Sequence, residues 1–134
     1  MSENLELARS ILADWERGDY GTVEWADPEI EFVLRGGIDP STSRGIGAMG
    51  EAWGRWLSEF EDFRTTGEEF RELDGDRVLV LTDNSGRGRR SGVQFGETST
   101  PGAVLFEIRD GKVTRLLAYT DRDEALADLG LGSD

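Results

Sequence analysis

The chain has no cysteine and no histidine among its 134 residues. Without cysteine there is no disulfide, no thiolate nucleophile and no sulfur ligand for a metal. Without histidine the commonest general base and the commonest metal ligand are missing as well, so neither a metal nor a cofactor is expected. Lysine is nearly absent too: Lys112 is the only one, and the other basic residues are arginines, which hold their protons too tightly to act as acids or bases. Any proton transfer must fall to a carboxylate, a tyrosine or Lys112. No apolar run approaches the roughly 20 residues that cross a bilayer, and Met1 to Tyr20 carry no basic leader ahead of an apolar stretch. The expectation is a cytoplasmic protein.

What is present points to a folded, acidic domain. Fifteen basic residues stand against 28 acidic ones, a formal net charge of −13, which repels nucleic acid phosphates and anionic lipid and serves chiefly solubility. Nucleic acid and membrane are therefore not expected as partners. Hydrophobic residues make up 37% of the chain, with four tryptophans and six phenylalanines, enough large apolar side chains for a core. No repeat, linker or composition break divides residues 1–134, and one domain is expected.

Along the chain the hydrophobic period changes once. Leu5, Ala8, Ile11, Leu12 and Trp15 recur every three or four residues between Asn4 and Arg17, with Glu3 and Glu6 at the start and Gly18 past the end. This predicts an amphipathic helix. A short turn or helix carries Tyr20, Val23 and Trp25. Ile30, Phe32 and Leu34 then alternate with Glu29, Glu31 and Val33 as a strand, and Gly36 to Ser43 reads as a loop. Ile46, Met49, Trp53, Trp56, Leu57 and Phe60 share one face of a second helix over about residues 47–61; on that face the indoles serve either as core or as platforms for a ligand. Beyond it the period falls to two. Phe63 to Leu73, Arg77 to Ser85, Val93 to Ile108 and Val113 to Thr120 read as four strands in a meander, punctuated by Asp74-Gly75, by Gly86 to Gly92 and by Asp110-Gly111. The stretch Gly86 to Gly92 is either an anion cradle or the solvated tip of a long hairpin. A short helix over Asp121 to Leu131 closes the chain, with Asp121 as its cap or as an active carboxylate.

This order of elements resembles the SnoaL-like branch of the nuclear-transport-factor-2-like superfamily, whose relatives include ketosteroid isomerases and polyketide cyclases. The resemblance rests on Arg17-Gly18-Asp19, on Asp27-Pro28-Glu29-Ile30-Glu31-Phe32 and on Arg109-Asp110-Gly111-Lys112-Val113. It continues through Tyr119, Asp121, Arg122, Glu124, Ala125, Leu126 and Gly130 to Leu131. It implies an α+β fold in which a cone-shaped, curved, mixed or antiparallel sheet packs against N-terminal helices. It also implies a homodimer through the exposed sheet face and a ligand cavity on the helix-covered one.

The resemblance implies recurrent catalytic positions as well, and here these hold apolar residues. The general-base aspartate of ketosteroid isomerases matches Phe32 or Val33; their protonated aspartate and the histidine of polyketide cyclases match Val104; a last-strand pocket carboxylate matches Ala118. None of these side chains moves a proton. If Arg109 to Gly111 form a three-residue loop, residue 104 pairs with 116 and residue 102 with 118, and Val104 and Ala118 share a face. A two-residue loop puts them on opposite faces.

The polar groups left for such a pocket are Arg35, Thr82, Asn84 (or Asp83 if the parity is reversed), Thr120 and the indoles of Trp53 and Trp56. Arg35 either pairs with a ligand carboxylate or makes a surface salt bridge. Three readings follow. In the first, Arg35, Trp53, Trp56, Thr82, Asn84, Val104 and Ala118 bind a small hydrophobic or aromatic molecule without the family's usual chemistry. In the second, Asp83 or Glu31, raised in pKa by burial, is the base of an isomerase, cyclase or hydrolase on a polyketide- or steroid-like substrate. In the third the domain is a dimerisation scaffold, its hollow filled by its own side chains.

Overall fold

The computed structural model describes residues 3–19, 24–35, 41–58, 60–88, 100–119 and 121–130, and for Ser41, Trp56, residues 60–63, residues 86–88 and Thr100 the backbone alone. Helix α1 (Glu3–Glu16) buries Ala8, Ile11, Leu12 and Trp15, the three-to-four spacing of the sequence turned into one face, while Glu3 and Glu6 sit in the first turn, where the helix dipole favours them. It leads to β1 (Ala26–Arg35), β2 (Ser41–Arg44), α2 (Ile46–Ser58), β3 (Phe60–Asp74), β4 (Arg77–Gly88), β5 (Thr100–Arg109), β6 (Lys112–Tyr119) and α3 (Arg122–Asp128).

The six strands form one unclosed sheet in the order β2-β1-β6-β5-β4-β3. Consecutive strands β3 to β6 pair antiparallel as the expected meander, and β1 lies parallel to β6, so the sheet is mixed. Strand β2 corrects the sequence reading of a loop up to Ser43. Its four polar residues have no apolar alternation to reveal them, and they form a strand by pairing with β1, Leu34 opposite Ser41 through Glu31 opposite Arg44. The second helix is shorter than expected because the chain is already extended at Phe60. Tyr20, Val23, Thr120 and most of the glycine- and arginine-rich stretch lie outside the described residues.

Alternation along the strands gives the sheet two apolar faces. Phe32, Leu34, Val78, Val80, Val104, Phe106, Ile108, Val113 and Leu116 pack beneath α1 and α2, joined by Trp15, Trp25, Met49 and Ala52. On the other face Val33, Leu79, Leu81, Ala103, Leu105, Leu117 and Tyr119 lie with Ala125 and Leu126 of α3. Each large apolar side chain so buried contributes about 1.5–3 kcal/mol.

The β5–β6 hairpin combines the two registers that the sequence left open. Its loop has two residues, with Arg109 opposite Lys112 and both Asp110 (φ 53°) and Gly111 (φ 77°) left-handed, the backbone a tight hairpin turn demands. By itself this would place Val104 and Ala118 on opposite faces. A bulge at Thr114 adds one residue, so that Ile108 faces Val113 but Glu107 faces Arg115, and the parity is restored. Val104 pairs directly with Ala118, and Phe106 with Leu116.

Candidate functional site

The helix-covered face has an apolar half and a polar end. In the apolar half, α1 contributes Trp15, the turn before β1 contributes Trp25, and α2 contributes Met49 and Trp53. Trp15 stands with its ring centroid 6.3 Å from Trp25, 5.7 Å from Trp53 and 6.0 Å from Phe106, and Trp53 meets Phe32 edge-on at 5.5 Å. These separations are those of favourable aromatic pairs. The gap that remains, lined by Trp15, Trp25, Phe32, Met49, Gly50, Trp53 and Leu116, has a volume of about 30 Å³. A cavity that takes up benzene measures ~150 Å³. As it stands, the cleft admits a water molecule and not a ring. Trp53, half-buried on α2, is the least covered of its three indoles.

At the polar end lie Thr65, Thr82 and Asn84, which are 6%, 1% and 7% exposed and are the only buried polar or charged residues among those described. Thr65 Oγ1 donates to Asn84 Oδ1 at 2.7 Å across the β3–β4 pair. Thr82 is orphaned: its hydroxyl is buried and has no hydrogen-bond partner among the described atoms, a situation that costs about 1–3 kcal/mol. Opposite Thr82 is Gly102. A Cβ there would lie 2.3 Å from Asn84 Nδ2, 2.9 Å from the Tyr119 carbonyl oxygen and 3.1 Å from Thr82 Oγ1, so only glycine leaves the Asn84 amide its place. Between the two halves run Val104, 7% exposed, and the half-buried Ala118.

The side chains proposed from sequence therefore divide. Trp53, Thr82, Asn84, Val104 and Ala118 all belong to the helix-covered face. Arg35 does not. It follows Leu34, which faces the helices, and so projects to the opposite side, exposed, in register with Tyr119. The same parity places Glu31 and Asp83 there, which corrects their placement as carboxylates of the hollow. Glu31 accepts from Arg115 Nε at 2.7 Å and lies 3.9 Å from Arg44 Nη2. For Trp56 the side chain lies outside the described residues.

Asp83 has a different partner that the sequence did not suggest. A bulge in β3 between Gly67 and Glu69 brings Glu68 beside it. The hydrogen bond to Glu68, then burial, then the Glu68 charge raise the Asp83 pKa above the ordinary value, against a smaller opposing pull from Arg122. The same bond, with help from Arg122, lowers that of Glu68. Arg122, the first residue of α3, donates to Glu68 Oε1 at 2.6 Å and to the backbone carbonyl of Thr82 at 2.8 Å, and its Nε to that of Gly102 at 3.3 Å. Asp121 is the cap of α3, accepting from the backbone N–H groups of Asp123 and Glu124. The signal for these partners, a glycine within a strand pattern as the mark of a bulge, was present at Gly67, but the pairing itself depends on register.

The profile of the SnoaL-like domain matches residues 8–116. The chain belongs to the SnoaL-like domain family. No protein of curated function matches it. Solved structures similar to this SnoaL-like domain share the nuclear-transport-factor-2-like fold. One is a nuclear-transport-factor-2-like protein from Burkholderia pseudomallei, 17% identical over 95% of this chain and 97% of that one, with a TM-score of 0.76. Another is TerC, co-crystallised with polyporic acid, 24% identical over 97% and 98% of the two chains, TM-score 0.72. A third is a candidate SnoaL-like polyketide cyclase from Mesorhizobium loti, 18% identical over 89% and 99%, TM-score 0.68. No helix among the described residues of the SnoaL-like domain is long and apolar enough to cross a membrane.

Proposed function

We propose that this protein binds a small hydrophobic or aromatic molecule on the helix-covered face of its sheet and does not subject it to proton-transfer chemistry. One observation carries this: among the described residues no ionisable side chain is buried on the helix-covered face, Tyr119 being buried on the opposite one, and the polar residues that are buried there, Thr65, Thr82 and Asn84, are neutral. A base or acid tuned by burial, which enolisation and aldol-type cyclisation need, has no candidate on this face among the described residues. TerC, with the same fold, was crystallised with polyporic acid, which supports a small-molecule role without naming the molecule here. The void of about 30 Å³ requires that a ligand displace Trp53, the indole least held by burial.

The test uses fluorene as an apolar probe. Tryptophan emission should change saturably as fluorene is added, and native mass spectrometry of protein from unfractionated expression should show a retained small molecule. If neither occurs, the self-filled scaffold, which the small void favours, is the better reading. Saturable turnover of a steroid enone or an epoxide by the pure protein would overturn the absence of chemistry.

A second copy of the chain is the proposed macromolecular partner. On the opposite face Arg44, Glu31, Arg115 and Glu107 form one lateral row across β2, β1, β6 and β5. Read backwards, as a two-fold axis would present it, this row sets each arginine against a glutamate. Sedimentation should then give a dimer that weakens with salt.

A further inference from the structure

We infer that the polar end of the helix-covered face, Thr82 and Asn84 above Gly102, holds a neutral carbonyl oxygen of the bound molecule; this deepens the binding reading above and rests on it. The geometry supplies two donors near one point. Asn84 Oδ1 is taken by the Thr65 hydroxyl, which leaves the amide Nδ2 as its donor, and Nδ2 and Thr82 Oγ1 both border the space beside Gly102, with the Tyr119 carbonyl oxygen as the one acceptor among its nearest atoms. The Thr82 hydroxyl has no partner among the described residues, and Thr82 is 1% exposed. A carbonyl oxygen, with two lone pairs, accepts from two such donors at once. An ionised carboxylate fits less well, because no cation is buried on this face among the described residues and an uncompensated charge there is costly.

Folding alone gives no reason for these three residues in one place. Val78 and Val80 precede Thr82 on the same face of β4, and valine at 82 would fill the same volume with nothing left unpaired. Asparagine and glycine are poor strand residues, yet Asn84 pairs with Thr65 and Gly102 with Thr82 in the sheet. Local choices that agree in disfavouring the fold at one point are those expected of a binding site. The row of Val104 and Ala118 lies two residues along the strand nearer the indoles, about 7 Å. A flat ring system lying over that row can reach Thr82 with an oxygen at its end.

The experiment compares 9-fluorenone with fluorene, the same ring system with and without a carbonyl, by tryptophan fluorescence. Wild-type protein should bind fluorenone about fivefold more tightly, the value of one net hydrogen bond. Thr82→Val should abolish that preference by weakening fluorenone alone, without loss of thermal stability, and Thr82→Ser should retain it. If fluorene binds the wild type as tightly as fluorenone, or if Thr82→Val keeps the preference, the carbonyl site is wrong and the binding reading stands. If Thr82→Val destabilises the protein and leaves the preference intact, the hydroxyl serves the fold through a buried water, and the inference falls. If neither probe binds, both readings fall together.

Discussion

Replacing Trp53 by alanine tests whether the helix-covered face is a filled hollow. Among its ring contacts are those of 5.7 Å to Trp15 and 5.5 Å to Phe32, and the indole forms one wall of the cleft. Truncating a core tryptophan to alanine costs about 3–5 kcal/mol, lost transfer energy and new cavity together. Because Trp53 is only half-buried, the lower end applies, about 3 kcal/mol. A domain with a stability of about 5–15 kcal/mol survives that loss. The vacated space, on the order of 100 Å³, joins the cleft and approaches the ~150 Å³ that takes up benzene. Urea titration followed by circular dichroism measures the loss. Repeating it with benzene at about 100 times its dissociation constant should restore about 2.7 kcal/mol. A loss below about 1 kcal/mol would mean the indole is not part of the core. A full loss without rescue by benzene would mean that the hollow collapses when emptied, and the idea of a ligand displacing Trp53 would go with it.

Other substitutions probe the remaining features. Gly102→Ala drives a methyl group into the Asn84 amide and the Tyr119 carbonyl and should cost about 1–3 kcal/mol in urea titration; a neutral result would show that Asn84 has another place to go. Asp121→Ala removes the cap of α3 and should cost about 1 kcal/mol, seen as a lower urea midpoint, against no change if the helix holds without it. Asp83→Asn tests the shared proton. The raised Asp83 pKa means that its contribution is present below the ordinary value of 3.8 and is lost as pH rises through the folded value. The lowered Glu68 pKa has the opposite sign, its contribution being lost as pH falls. Asparagine donates at every pH, so melting temperatures of variant and wild type should converge in acid and the variant should lead at neutral pH. Parallel curves would rule out the shared proton. Arg115→Met cuts the charged row at its centre; with Arg115 38% exposed, the monomer should lose no more than about 1 kcal/mol, whereas the dimer should dissociate on sedimentation.

How far the sequence could be read depended on whether a feature was local. Helix α1 was legible because Ala8, Ile11, Leu12 and Trp15 repeat within one segment, and β4 because Val78 to Leu81 are apolar on both parities. Strand β2 was not, since Ser41 to Arg44 carry no pattern of their own and exist as a strand only beside β1. Among the candidate residues, the structure puts Thr82, Asn84, Val104 and Ala118 on the helix-covered face, Val104 and Ala118 by a combination that neither of the two loop lengths considered from sequence contained: a two-residue loop with a bulge at Thr114. Arg35, Glu31 and Asp83 were placed wrongly, because alternation says that neighbours oppose each other and not which of the two faces the helices.

By itself the sequence determined the family, the α+β order of elements and the absence of cysteine and histidine chemistry, all of which are written in residue identity and short-range period. Only the tertiary structure decided that the hollow is nearly closed by Trp15, Trp25 and Trp53, that Glu68 reaches Asp83 across a bulge, and that the Thr82 hydroxyl is left without a partner among the described residues beside Asn84 and Gly102. Those facts depend on how strands are registered and how side chains from distant segments fill a common volume, and neither quantity is encoded in any one segment of the chain.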